Sequence, residues 1–178
     1  MHKLILLVLF SIFSYANNLV LQEGEIKAHT EILGDSKIDP STKTINSKLT
    51  IDKNIESIKG DISISSLTLK SDNEDRDKHM YEVLNIEVHP KIHLNIIDIK
   101  KDEKDGNLYN INASLTLNGV TKNIISNSKI AEENNIINFD GSFSIKLTQF
   151  NIEPPSLLFL TVRDQIDINY NLSYEENK

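Results

Sequence analysis

The residues with the clearest potential for metal chemistry are histidines, and two of them, His89 and His93, lie four positions apart. On a helix this spacing would place both imidazoles on one face, where they could share a metal ion. Ile92 and Leu94 alternate with polar residues here, which instead predicts a strand, and four strand residues span roughly 13 Å. We therefore interpret both as surface histidines and expect no metal site.

Catalytic motifs are missing from the sequence. It has no cysteine, no Gly-x-Ser-x-Gly, no His-Glu-x-x-His and no glycine-rich phosphate loop. Thiol chemistry, disulfides and cysteine-based metal centres are thereby excluded, and the common hydrolase and nucleotide-binding patterns are missing too. We expect no enzymatic activity and no cofactor.

The two arginines, Arg76 and Arg163, are each followed by an aspartate. In a chain that otherwise uses lysine, a guanidinium suggests a bidentate contact that an ammonium cannot replace. Asp164 also interrupts the apolar face of its predicted strand, where it needs a partner. One interpretation makes Arg76, Asp77, Arg163 and Asp164 structural ion pairs, and the other makes them part of a site for a ligand's head. We favour structural ion pairs at one end of the fold.

The overall composition limits the possible partners. The chain has 178 residues, a formal net charge of −7 and 39% hydrophobic residues, which fits one globular domain. A nucleic-acid partner is not expected, because an acidic chain lacks the basic surface that such binding requires.

The first sixteen residues resemble a secretory signal peptide. One lysine, Lys3, precedes an apolar run from Leu4 to Phe13, and Ala16 ends a short exit segment. The apolar run is too short to span a bilayer. We predict cleavage after Ala16, leaving a soluble periplasmic domain of residues 17–178 with no transmembrane segment; a buried strand or membrane anchor is the alternative. Asn17 would then come first, which excludes a lipoprotein.

The elements that must position any binding site are mostly strands. Eight segments alternate apolar and polar residues, as strands with one buried face do. The pattern slips between Ile96 and Ile97, which predicts a bulge, and Asn118-Gly119 predicts a two-residue hairpin. The segments are roughly 20–33, 43–52, 58–69, 86–99, 111–117, 120–130, 137–147 and 162–174.

A different pattern separates the fourth strand from the third. Residues 71–85 do not alternate, and a Ser/Asp-rich start precedes Met80, Val83 and Leu84, which predicts one short helix around residues 74–84. Closing eight strands into an antiparallel barrel removes the exposed edges of a sheet. We therefore predict an all-β fold, an eight-stranded antiparallel barrel with one helix, and keep a two-sheet sandwich as the alternative.

Several motifs together resemble one family. In order along the chain they are Arg76-Asp77-Lys78-His79-Met80, His89-Pro90-x-Ile92, Leu115-Thr116-Leu117-Asn118-Gly119-Val120-Thr121-Lys122, Phe150-Asn151-Ile152 and Val162-Arg163-Asp164-x-Ile166-x-Ile168. This set is similar to the YceI-like family of secreted proteins. The resemblance implies a lipocalin-like barrel with an apolar bore that binds a polyisoprenoid or another lipid.

The leading functional hypothesis is a carrier that buries a long apolar chain, isoprenoid or fatty-acyl, inside the barrel. The alternative is a structural or stress-related envelope protein whose barrel is filled by its own side chains. The barrel would act as a monomer or homodimer, and the apolar run 157–160 would form a lip of the entrance or pack on the last strand. The candidate lining residues are Ile62, Ile64, Ile92, Leu94, Ile111, Leu115, Phe139, Phe143, Ile145, Ile166, Ile168 and Tyr170.

Overall fold

The computed structural model describes residues 16–32, 35–157 and 160–177, without the side chains of residues 35, 36 and 157. The predicted signal peptide therefore lies outside the described residues, apart from Ala16. The strands are β1 Asn17–Ile32, β2 Asp35–Ile38, β3 Ser41–Thr42, β4 Ile45–Ile51, β5 Lys59–Ser65, β6 Lys91–Lys101, β7 Leu108–Leu117, β8 Val120–Glu133, β9 Ile136–Lys146, β10 Ser156–Leu157, β11 Leu160–Thr161 and β12 Gln165–Asn177. The helix α1 is Glu74–Val83, and short 3-10 helices span Ile55–Ser57, Ser66–Thr68 and Leu147–Phe150.

Eight long strands form a closed antiparallel barrel. Strands β1, β4, β5, β6, β7, β8, β9 and β12 each pair with their neighbours in this order, and β12 returns to pair with β1 from Asn18↔Asn177 to His29↔Asp167. Closure leaves none of these eight strands at a sheet edge. The predicted barrel is confirmed, and the sandwich alternative is wrong.

Local sequence features explain how the barrel is built. Along β7, Tyr109, Ile111 and Ala113 are buried while the residues between them are partly exposed, as the two-residue period of a strand requires. The predicted bulge is confirmed at Ile97, which the β6–β7 register skips. The hairpin between β7 and β8 turns at Asn118-Gly119, with φ angles of 48° and 71°, as a type I′ turn requires.

The helix lies across one end of the barrel. The Asn73 side chain caps it, accepting hydrogen bonds from the backbone N–H groups of Asp75 and Arg76, both at 3.0 Å, as helix N-caps commonly do. Met80, Val83 and Leu84 pack against the barrel interior. The predicted helix around residues 74–84 is confirmed. Within the described residues, no helix is long and apolar enough to cross a membrane.

The barrel core consists of two packed groups at opposite ends. We call the first group the base; it is centred on Leu19, Leu49, Ile58, Ile137 and Tyr174, where β1 begins and β12 ends. We call the second group the helix end; it includes Leu69, Leu84, Leu117, Phe150 and Ile152, below α1. A cavity lies between the two groups.

Candidate apolar ligand cavity

The barrel encloses a cavity of about 450 Å³. All twelve residues proposed from the sequence lie on its wall, and their role in binding a ligand stays a prediction. They are Ile62, Ile64, Ile92, Leu94, Ile111, Leu115, Phe139, Phe143, Ile145, Ile166, Ile168 and Tyr170.

Other residues line the cavity although the sequence patterns did not predict them there. Ala113 and Leu117 share the inner face of β7 with Ile111, so the same alternation could have identified them. Ile26 on β1 and Met80 on α1 also line the cavity. The alternation near Ile26 is weak, and no pattern within the helix shows which part of the barrel it covers.

An aromatic pair closes the cavity at the base. The rings of Phe139 and Tyr174 meet edge to face with centroids 5.7 Å apart, a favourable geometry for aromatic rings. The Tyr174 hydroxyl donates to Ser47 Oγ at 3.0 Å, so this buried polar group has a partner. Burial raises the pKa of Tyr174 to about 12, and the phenol therefore stays neutral.

A second tyrosine, Tyr170, forms part of the wall by lying over a glycine. A Cβ atom at Gly141 would be 2.3 Å from the Tyr170 hydroxyl oxygen, so only glycine leaves room for the ring. Ser126 Oγ donates to the carbonyl of Ser142 at 3.0 Å and lies 2.8 Å from the Tyr170 hydroxyl. Ser126 Oγ can therefore accept a hydrogen bond from the Tyr170 hydroxyl, and burial raises the pKa of Tyr170. These contacts hold the ring away from the cavity centre.

Polar groups line the cavity at the helix end. Asp77 is almost fully buried, with its side chain 4% exposed. Its Oδ1 accepts hydrogen bonds from the backbone N–H of Ser71 at 2.9 Å and the Ser71 hydroxyl at 2.8 Å. Lys70 Nζ lies 4.0 Å from Asp77 Oδ2. The contacts of Asp77 come from Ser71 and Lys70, and the structural ion-pair role expected of Arg76 and Asp77 stays a prediction. Arg76 also lines the cavity and makes its own interaction within the chain.

Arg163 and Asp164, the other two residues expected to form structural ion pairs, contact different groups. Arg163 contacts the carboxylates of Asp167 at 2.5 Å and Glu31 at 3.3 Å. Asp164 instead accepts hydrogen bonds from the backbone N–H and hydroxyl of Thr148, at 2.9 and 2.8 Å. Arg163 and Asp164 lie in the segment between β11 and β12, and their side chains reach different parts of the barrel. The guanidinium connects β1 to β12, and the carboxylate holds the 3-10 helix after β9.

The hydrogen bonds around Asp167, which is an ion-pair partner of Arg163, favour its ionised form. Ser144 Oγ and Gln165 Nε2 donate to Asp167 Oδ1 at 2.6 and 2.7 Å. The hydrogen bonds from Ser144 and Gln165, together with the Arg163 contact, lower the pKa of Asp167 to about 2. At neutral pH this group is ionised, as the ion pair requires.

The histidines make separate contacts. His89 precedes β6 and stacks over Gly119, where a Cβ atom would be 2.6 Å from the imidazole; the predicted strand began too early at this point. His93 Nε2 contacts Asp61 Oδ1 at 3.0 Å on the outer surface. His29 Nδ1 contacts Asp39 Oδ1 at 2.6 Å, and this hydrogen bond lowers the pKa of Asp39. Among the residues that the structure describes, no three His, Cys, Asp or Glu side chains could hold a metal ion together.

Only part of the predicted lip of the entrance, residues 157–160, lies within the described residues. The hairpin of β10 and β11 pairs Leu157 with Leu160, and the residues between these two lie outside the described residues. Pro155 and Val162, which flank the hairpin, line the cavity. His79 lines the cavity as well, and its side chain is 58% exposed. The cavity therefore reaches solvent at the helix end.

A closed eight-stranded antiparallel barrel around an apolar cavity defines a lipocalin-like protein. Within that class, the chain belongs to the YceI-like domain family, whose sequence profile matches residues 20–174. A UPF0312 protein of Pectobacterium carotovorum is 31% identical over 140 residues, which cover 74% of this chain and 71% of the relative.

Solved structures share the fold at low sequence identity. BcnA of Burkholderia cenocepacia superimposes with a TM-score of 0.73 at 16% identity, covering 84% of this chain and 95% of its own. A polyisoprenoid binding domain from Saccharophagus degradans gives a TM-score of 0.64 at 10% identity, covering 90% and 98%. These matches support the closed barrel with one helix.

Proposed function

We propose that the protein is a periplasmic carrier that sequesters one long apolar chain, isoprenoid or fatty-acyl, in its barrel. The observation that carries this proposal is the apolar cavity of about 450 Å³, which falls within the size range of small-molecule sites. A barrel filled by its own side chains would lack such a space. The cavity therefore favours the carrier over the structural envelope protein.

Burial alone supplies the affinity in this proposal. Each methylene group removed from water contributes about 0.8 kcal/mol, so about ten of them offer roughly 8 kcal/mol before ordering costs. No bond is made or broken, and no cofactor is needed. The Saccharophagus protein with the same fold is a polyisoprenoid binding domain, which supports an isoprenoid here. The periplasmic location is supported by the signal-like sequence of residues 1–16.

The direct test is mass spectrometry of lipids that copurify with the protein from the periplasm of its own host. We expect one class of long-chain lipid at close to one molecule per barrel. A parallel titration with the neutral apolar dye N-phenyl-1-naphthylamine should saturate. A protein that carries no lipid and shows no saturable dye binding would contradict the carrier.

Two variants locate the ligand inside the barrel. Leu115→Asp and Phe143→Asp each place a carboxylate on the cavity wall, which should abolish dye binding in variants that remain folded. Ser114→Asp is the matched control, because Ser114 lies on the opposite face of the same strand as Leu115. Equal dye binding by all three variants would exclude the cavity as the binding site.

The location is tested by deleting residues 2–16. The shortened protein should fold and stay in the cytoplasm, because these residues contribute nothing to the barrel in this proposal. Failure of the purified variant to refold in vitro would contradict the assignment.

A further inference from the structure

One buried carboxylate stands on the wall of the apolar cavity. Asp77 Oδ1 accepts both hydrogen bonds from Ser71. Among the described residues, Asp77 Oδ2 accepts no hydrogen bond, and its nearest cation is Lys70 Nζ at 4.0 Å. In the part of the chain that the structure describes, no fully buried side-chain oxygen lacks a hydrogen-bond partner, so Oδ2 is in contact with open space and is not sealed in the core. A carboxylate oxygen has two acceptor positions to offer there. Asp77 therefore retains acceptor capacity at the cavity wall.

The basic side chains that share this part of the wall already have partners within the chain. His29 contacts Asp39 at 2.6 Å, and His79 lies 3.5 Å from Glu82. Arg76 makes its own interaction within the chain. A ligand entering the cavity therefore meets an acceptor that still lacks a hydrogen bond, beside basic side chains that have other contacts within the chain.

We propose that Asp77 is the head-group subsite of the cavity and that Oδ2 accepts a hydrogen bond from the polar end of the ligand. The ligand is then a long-chain amphiphile with a hydrogen-bond donor as its head, such as an alcohol or an amine. A carboxylate or phosphate head is disfavoured, because its negative charge would repel the Asp77 carboxylate. This inference rests on the proposed carrier function and adds the chemistry and orientation of the ligand.

The orientation follows from the two ends of the cavity. The aromatic pair Phe139 and Tyr174 closes the base, and its one polar side-chain atom, the neutral Tyr174 hydroxyl, already donates to Ser47. Asp77 lies at the helix end, where the cavity reaches solvent. The tail therefore points to the base and the head to α1.

The experiment compares three probes that share one hydrocarbon chain: oleylamine, oleyl alcohol and oleate. Each displaces N-phenyl-1-naphthylamine from the full chain without its signal peptide, at neutral pH and below the concentration at which the probe aggregates. We expect oleylamine and oleyl alcohol to bind about tenfold or more tightly than oleate. Desolvation penalises both charged heads, so a preference for the ammonium over the carboxylate reports a negative group at the site.

Asp77→Asn provides the decisive variant. The amide oxygen can still accept from Ser71, while the amide nitrogen puts a donor where Oδ2 was. We expect the ratio of oleate to oleylamine affinity to rise by about tenfold or more. Asp75→Asn is the matched control, with the same charge change on the same helix at a side chain that is 91% exposed, and it should leave the ratio unchanged.

Each outcome decides the proposal. Equal binding of oleate and oleylamine by the parent overturns it, as does an unchanged ratio in folded Asp77→Asn. Should that variant fail to fold, the order of the three probes on the parent decides alone. Absence of saturable dye binding by the parent would overturn the carrier function itself, and the subsite with it.

Discussion

Ala113→Leu is expected to separate ligand binding from folding. Ala113 is fully buried and lies on the cavity wall at the middle of β7, so a leucine there extends three further carbon atoms into the empty space. Those atoms displace a similar number of ligand carbons. The ligand then loses about 2 kcal/mol of burial, which corresponds to roughly thirtyfold weaker binding.

The same change should not destabilise the barrel. In a filled core, three extra carbons would force side chains out of their rotamers and cost about 1–3 kcal/mol. In a cavity they find apolar surroundings, so the free energy of unfolding is expected to stay constant or to rise. Binding of N-phenyl-1-naphthylamine and urea unfolding measure the two quantities on one sample.

Ala131→Leu is the control, because it adds the same three carbons to an exposed position on β8. This variant should bind the dye as the parent does. If Ala113→Leu binds the dye as tightly as Ala131→Leu, the ligand does not occupy the space beside Ala113. If Ala113→Leu unfolds in less urea than the parent, the barrel is closely packed at that level and the cavity argument fails.

Three further outcomes test other parts of the structure. Arg163→Lys should lower the free energy of unfolding by about 1 kcal/mol in urea titrations, because an ammonium cannot replace the forked contacts to two carboxylates; an unchanged midpoint contradicts that role. Asp167 has a pKa lowered to about 2 from 3.8, so its stabilisation is present well above pH 3.8 and is lost as the pH falls towards 2. Asp167→Asn should remove this part of the acid sensitivity, and acid-unfolding curves of unchanged shape would refute it. Gly141→Ala should cost about 1–3 kcal/mol and weaken dye binding by moving Tyr170 into the cavity; Gly106→Ala, with no atom closer than 3.8 Å to the new Cβ, is its control.

Local patterns predicted the barrel because the alternation of apolar and polar residues within each strand indicates which face is buried. The bulge at Ile97 and the turn at Asn118-Gly119 could also be predicted locally, because a bulge and a type I′ turn depend on adjacent residues. The inner face of β7 also placed Ile111 and Leu115 on one side of the strand. Alternation thus indicated the inner faces of the strands.

The polar contacts were not predictable in the same way. Arg163 pairs with Glu31 on β1, which is adjacent in the barrel but far away in the sequence. Asp77 contacts Ser71 across the helix N-terminus. Such partners depend on how the barrel closes and on where α1 lies, and neither is encoded in the spacing of neighbouring residues. The cavity could not be predicted from the sequence either. A side chain that fills a core and one that borders a cavity give the same alternation of apolar and polar residues.

The packed base has a consequence for how a ligand could enter and leave the barrel. Because Phe139 and Tyr174 close the base in the part of the barrel that the structure describes, a ligand bound as proposed would leave by the helix end through which it entered. A carrier of this shape cannot serve as a conduit between two membranes, since donor and acceptor must use the same mouth at different times. On the proposed function the protein would work as a shuttle that diffuses between them, and the amount delivered would scale with the number of copies and the rate at which each one releases its ligand.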